Sequence, residues 1–189
     1  MPLADEVASG TPPPTAPGDA AAADGAPQAR GVLWWVTLAI ITVDQMTKAL
    51  VRAQLPLFES ANIIPGLLDF THVRNTGVAF GLMNDSDVPF KTGVTVAMAG
   101  IALTGIALYA RHLREHERIA RIGLSMILGG AAGNLFDRLR LGYVVDFVDV
   151  YWKAWHFWAF NVADAAITIG AVLVFLDLLL VNRHASRSV

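Results

Sequence analysis

Four long apolar blocks, separated by polar or glycine-rich stretches, dominate the chain. They run over Val32–Val51, Thr92–Ala110, Ile122–Leu141 and Phe160 to about Val181. Each is close to the roughly 20 residues, or about 30 Å of helix, that the core of a bilayer requires. The pattern predicts a mainly α, polytopic membrane protein with four transmembrane helices over residues 31–182. The stretch from Leu55 to Val88 breaks that pattern. Pro56, Pro65, Gly66, Gly77 and Gly81 interrupt it, and Leu68–Val73 alternates well enough for a short strand. A small β-element lying on the membrane surface fits this stretch. Asn75-Thr-Gly77 reads as a turn, because Asn tolerates left-handed backbone. Residues 1–30, rich in Ala, Pro and Gly, bury too little apolar surface to offset their ordering entropy and predict a disordered tail. They lack the positive start and apolar middle of a signal peptide. Residues 183–189 form a short second tail.

Composition narrows the class. Of 189 residues, 54% are hydrophobic and 16% charged, far from the balance of a soluble domain. The net charge of −2 supplies no basic field for nucleic acid. The absence of cysteine excludes disulfides, thiol nucleophiles and Cys-ligated zinc. Arg111, Arg114, Arg118 and Arg121 crowd the short connection between the second and third blocks, which the positive-inside rule makes cytoplasmic. Arg183 and Arg187 agree, so both termini are expected inside.

With that topology, polar groups gather at the outer ends of the helices. Asp44 and Lys48 are four residues apart in the favourable order for a helical ion pair. They read as a pair tolerated at the membrane edge, with a supporting role toward the bundle interior. Gly129, Gly130 and Gly133 permit close helix packing. Asn134 and Arg138 share a helix face, Asn134 one turn deeper than an anchor in the headgroups needs. Asp164 lies about one turn inside the fourth block, where a carboxylate costs roughly 2.5–3.5 kcal/mol on insertion scales and marks a functional site. Asp177, roughly 20 Å further along, falls near the opposite interface. Tyr151, Trp152, Trp155, Phe157, Trp158 and Phe160 form the aromatic cluster expected at a membrane–water boundary. Ser60 and Ser86 have no paired motif, and His72 and His156 have no metal-ligand partner at recognisable spacing, so neither metal nor cofactor is expected. What remains is carboxylate chemistry. Two aspartates brought close cannot both ionise readily, giving a base and an acid that activate water against an amide. Asp137, Asp146, Asp149 and Asp164 are all candidates by pattern. The rival reading is a small transporter or proton relay using intramembrane acids. Against it, the helix pairs show no inverted repeat, and the acids sit at one face rather than the midplane. A non-catalytic scaffold would leave Asn134 and Asp164 unexplained.

Five motifs, in order, cover about residues 32–181: Asp44-Gln-Met-Thr-Lys48, Asn75-Thr-Gly-Val-Ala-Phe80, Gly133-Asn-Leu-Phe-Asp-Arg138, Val144-Val-Asp-Phe147 and Phe160-Asn-Val-Ala-Asp164. In these the chain resembles signal peptidase II, the aspartyl peptidase of the bacterial inner membrane. The resemblance implies four transmembrane helices with a periplasmic β-cradle on about residues 54–82. It implies that Asp146 and Asp164 are the catalytic pair, which sets Asp137 and Asp149 aside as catalysts. Asn75, Gly77, Asn134, Arg138 and Asn161 would hold the substrate backbone or support the site, with Asp44, Lys48 and Asp137 as structural support. The implied partners are membrane lipids and prolipoproteins carrying a diacylglyceryl-cysteine, cleaved just before that cysteine.

Overall fold

The computed structural model describes residues 31–76, 91–113 and 117–185. Residues 1–30, Gly77 with the rest of the cradle segment to 82, Ser86 and residues 186–189 lie outside it. The elements run α1 (Trp34–Gln54), β1 (Ser60–Ile64), β2 (Leu68–Asn75), α2 (Lys91–Ala110), α3 (Arg118–Leu141), β3 (Val144–Trp152), β4 (Trp155–His156) and α4 (Val162–Ala185). The expected second tail therefore begins inside α4. Among the described residues, three stretches are long and apolar enough to cross a membrane: Gly93–Ala110, Arg118–Leu141 and Val162–Leu179. The remaining block, the first along the chain, forms α1, a helix of 21 residues. Asp44, Gln45 and Lys48 lower its apolar content, and it is not among those three.

The bundle is organised around α3, which packs against α4, α1 and α2. Its contact with α4 depends on missing side chains. A Cβ on Gly123 would stand 2.6 Å from the carbonyl oxygen of Gly170, and one on Gly170 2.5 Å from that of Gly123. The two backbones touch there, as small residues in membrane helices allow. On the α1 side, a Cβ on Gly133 would meet the Asp44 carboxylate at 2.7 Å. The glycine is what lets that carboxylate lie against α3. Gly142, with φ of 81°, ends α3, and its N–H donates to the Arg138 carbonyl. The backbone thereby turns directly into β3.

The sheet has the order β1-β2-β3-β4, every neighbouring pair antiparallel. Its first two strands come from the predicted β-segment. The other two come from Val144–His156, read from sequence only as motif and aromatic boundary. Val144, Val145, Asp146 and Phe147 are all buried, so this half of β3 is covered on both faces. A strand of that kind loses the polar–apolar alternation by which strands are recognised. Asn75 differs too: it is the last residue of β2, paired with Val144, rather than the start of a turn.

Candidate active site

The site is assembled where β3, β2 and the first turn of α4 converge on α1 and α3. Val73 pairs with Asp146 and Asn75 with Val144, so Asn75 and Asp146 are diagonal neighbours on one sheet face. That register brings the Asn75 Nδ2 group to 3.0 Å from Asp146 Oδ2, to which it donates. The backbone N–H groups of Phe147 and Val148 both donate to the Phe160 carbonyl, at 3.0 and 2.8 Å. These bonds pin the approach to α4 against β3. The next residue, Asn161, is fully buried, and its Nδ2 donates to Asp146 Oδ1 at 2.7 Å.

Asn161 also caps α4. Its Oδ1 accepts from the Asp164 N–H at 3.0 Å, while Asp164 Oδ2 accepts from the Asn161 N–H at 3.2 Å. This reciprocal pair is a capping box, with Asp in the place usually taken by Glu or Gln. The order Asn161-Val-Ala-Asp164, an N-cap and its third helical residue, is the sequence signal for this box. The box holds the Asp164 carboxylate against the first turn of its own helix, where the macrodipole favours negative charge. Its other oxygen, Oδ1, accepts from Asn134 Nδ2 at 2.8 Å. Thus Asp146 and Asp164 are linked through Asn161, and each receives a second amide from another element.

Behind this layer lies a buried polar knot. Lys48 and Asp44 are 1% and 0% exposed, so their pair lies inside the bundle rather than at the membrane edge. The Lys48 ammonium makes three contacts of 2.9 Å, to Asp44 Oδ2, Asp137 Oδ2 and Asn134 Oδ1. Asp44 Oδ1 accepts from the Ala163 N–H at 3.0 Å, so α1 caps α4 from outside the helix. Gln45 Nε2 donates to Asp44 Oδ2, Asp137 Oδ1 and the Gly133 carbonyl at 3.1, 3.0 and 3.3 Å. Asp137 Oδ2 also accepts from the Val145 N–H at 3.3 Å, which ties the knot to β3. Arg138 points Nη1 at the Asn134 carbonyl, 3.4 Å away. Asn75 and Asn134, expected to hold the substrate backbone or support the site, direct amide groups to the carboxylates. Gly77 lies outside the described residues. Asp149 faces elsewhere: its Oδ2 lies 2.8 Å from His156 Nδ1 on the sheet surface. Among the described residues, no three His, Asp or Glu side chains group to hold a metal ion.

The electrostatics of Asp146 follow from this enclosure. Burial, and next the charge of the neighbouring Asp164, push its carboxyl up to about 7, against the amides of Asn75 and Asn161 and the Lys48 charge. A carboxyl that titrates near neutrality beside another carboxylate is suited to exchanging a proton.

The spanning apolar helices are those of a multi-pass membrane protein, and they set the buried Asp146 beside the half-buried Asp164. The signal peptidase II family matches residues 36–180. The lipoprotein signal peptidase of Geobacter metallireducens is 47% identical over 155 residues, 80% of this chain and 93% of the relative. That of Pseudomonas aeruginosa is 39% identical over 145 residues, 76% of this chain and 85% of the relative. A solved structure of a bacterial membrane enzyme is 28% identical, with a TM-score of 0.68 over 77% of this chain and 85% of that one. The chain belongs to the signal peptidase II family.

Proposed function

We propose that the protein is an aspartic endopeptidase that removes the signal peptide from prolipoproteins, cleaving just before the diacylglyceryl-modified cysteine. The observation that carries this reading is the linked pair Asp146 and Asp164, bridged by Asn161 at the N-terminus of α4. The family membership supports the substrate class. The raised Asp146 carboxyl supports Asp146 as the member that keeps the shared proton at rest. Asp164 then acts as the base. It draws a proton from water as the oxygen adds to the scissile carbonyl, and Asp146 gives its proton to the amine as the C–N bond breaks. Asn161, Asn75 and Asn134 orient the two carboxylates. Arg138, with the segment from Asn75 through Gly77, contacts the substrate backbone.

In this reading α1 is a fourth transmembrane helix. Exposed Trp34, Trp35, Leu38, Met46 and Leu50 give it a lipid-facing side, while Asp44 and Lys48 face inward. Both termini are cytoplasmic, the membrane is the bacterial inner membrane, and the sheet and site lie near its periplasmic face. The exposed Trp152, Trp155 and Trp158 suit that boundary. The test is cleavage of a diacylglyceryl-modified precursor peptide by purified protein in detergent. Asp146→Asn and Asp164→Asn should each remain folded and lose turnover. Substantial cleavage by either variant would refute the aspartic mechanism.

A further inference from the structure

Lys48 is more than the neutralising partner of two buried aspartates. An ammonium has three donors and no acceptor. Here the third donor goes to the oxygen of a neutral amide, Asn134 Oδ1, at 2.9 Å. An asparagine side chain has two faces of opposite hydrogen-bonding sense, and its orientation is chosen by its neighbours. Turned over, Asn134 would present Nδ2 to the ammonium and Oδ1 to the Asp164 carboxylate, one donor–donor and one acceptor–acceptor clash.

Asn161 favours the same orientation, but less firmly. Its Nδ2 group has two hydrogens for three acceptors: Asp146 Oδ1 at 2.7 Å, Asn134 Oδ1 at 3.2 Å and the Val145 carbonyl at 3.3 Å. Its shortest bond goes to Asp146. The charged bond from Lys48 is the shorter and the stronger hold on Asn134.

We propose that Lys48 is a positioning residue for the reaction: it locks the Asn134 amide with its oxygen toward α1, so that Nδ2 always faces Asp164. This rests on the reading of Asp146 and Asp164 as the catalytic pair. Without the lock, the amide samples the inverted orientation, and a carboxylate facing an oxygen has to hold a proton. The pair then retains protons to higher pH, and fewer molecules carry the one-proton state in which a base is available.

The test separates this role from the structural one. Asp44→Asn/Lys48→Met removes one charge of each sign and leaves Asp137 its donors from Gln45 and Val145. It is compared with Asp44→Asn alone for thermal midpoint in detergent, kcat, KM and pH profile, using the diacylglyceryl-modified precursor. The expected result is a folded protein with kcat lowered roughly 10- to 100-fold relative to Asp44→Asn and KM changed less than about threefold. The acid limb of its pH profile should move up by roughly one unit. Asn134→Asp supplies the second arm, and decides alone if the double variant does not fold. It gives Lys48 a stronger acceptor but turns an oxygen toward Asp164, so it should reproduce the loss of kcat and the shifted limb with Lys48 in place. A folded double variant with the kcat and profile of Asp44→Asn would overturn the proposal. So would Asn134→Asp with near-parental kcat. Asp164→Asn is measured alongside. If it cleaves normally the catalytic pair itself is wrong, whereas if it is inactive and the Lys48 arm is silent, only the positioning role fails.

Discussion

Removing the Asn75 amide should shift the pH range in which the protein works. Asn75 donates to Asp146 Oδ2 at 3.0 Å and holds down a carboxyl that burial and Asp164 push up to about 7. A hydrogen bond to a charged group contributes about 1.5–3 kcal/mol, and one pKa unit corresponds to about 1.4 kcal/mol. Losing the bond would thus raise the carboxyl by about 1–2 units. Asn75 is only half-buried, so water can take over part of its role, and the low end of that range is expected. The sign follows from which form the amide favours. It stabilises the charged carboxylate, so without it the proton is held to higher pH. In the proposed mechanism the alkaline limb of kcat/KM reports loss of the proton shared by the pair. For Asn75→Ala that limb should move from near pH 7 to near pH 8, with the folded state intact. The assay is cleavage of the diacylglyceryl-modified precursor from about pH 5 to 9.5, with parent and variant in the same buffers. An alkaline limb that stays in place, or moves toward acid, would refute the role assigned to this bond.

Three further outcomes are expected. Asp146 folds with its carboxyl near 7 instead of the ordinary 3.8, so the native state holds a proton that the unfolded chain has released. Its contribution to stability is full below 3.8 and is lost as pH rises to about 7. Thermal midpoints in detergent should therefore fall less over this window in Asp146→Asn than in the parent; equal slopes would contradict the burial argument. Asp44→Ala leaves Lys48 short of a partner and the Ala163 N–H without its acceptor, which should destabilise the protein by about 3–5 kcal/mol and lower the folded yield. Normal stability with no turnover would instead place Asp44 in the catalytic set. Finally, because the chain has no cysteine, single cysteines report topology. Ser60→Cys and Lys153→Cys should react with an impermeant thiol reagent in intact spheroplasts and Arg111→Cys should not; labelling at position 111 would reverse the orientation.

The apolar blocks were readable from the chain alone, because a bilayer core demands an uninterrupted run of apolar residues and length is a local property. They correspond to α1–α4, with ends displaced by a few residues. The glycines of α3 were readable as close-packing positions for a similar reason: a missing side chain has few other uses in an apolar helix. The Asn161–Asp164 box was equally local, four residues that satisfy one helix end. Composition and pattern left four aspartates open, and only the five motifs taken together, as a family resemblance, named Asp146 and Asp164.

Tertiary structure decided the rest. β3 could not be seen as a strand, since burial on both faces of Val144–Phe147 erases the alternation that one-sided strands show. Asn75 looked like a turn former because its strand partner, Val144, lies far along the chain. The Asp44–Lys48 pair was evident from its helical spacing, but its depth was not. Whether such a pair meets headgroups or the bundle interior depends on which face α3 covers, and that requires Gly133 to admit the carboxylate. The Lys48–Asn134 bond spans 86 residues and the Asn134–Asp164 bond 30. Hydrogen bonds are directional and act over about 3 Å, so such links exist only once the helices have packed.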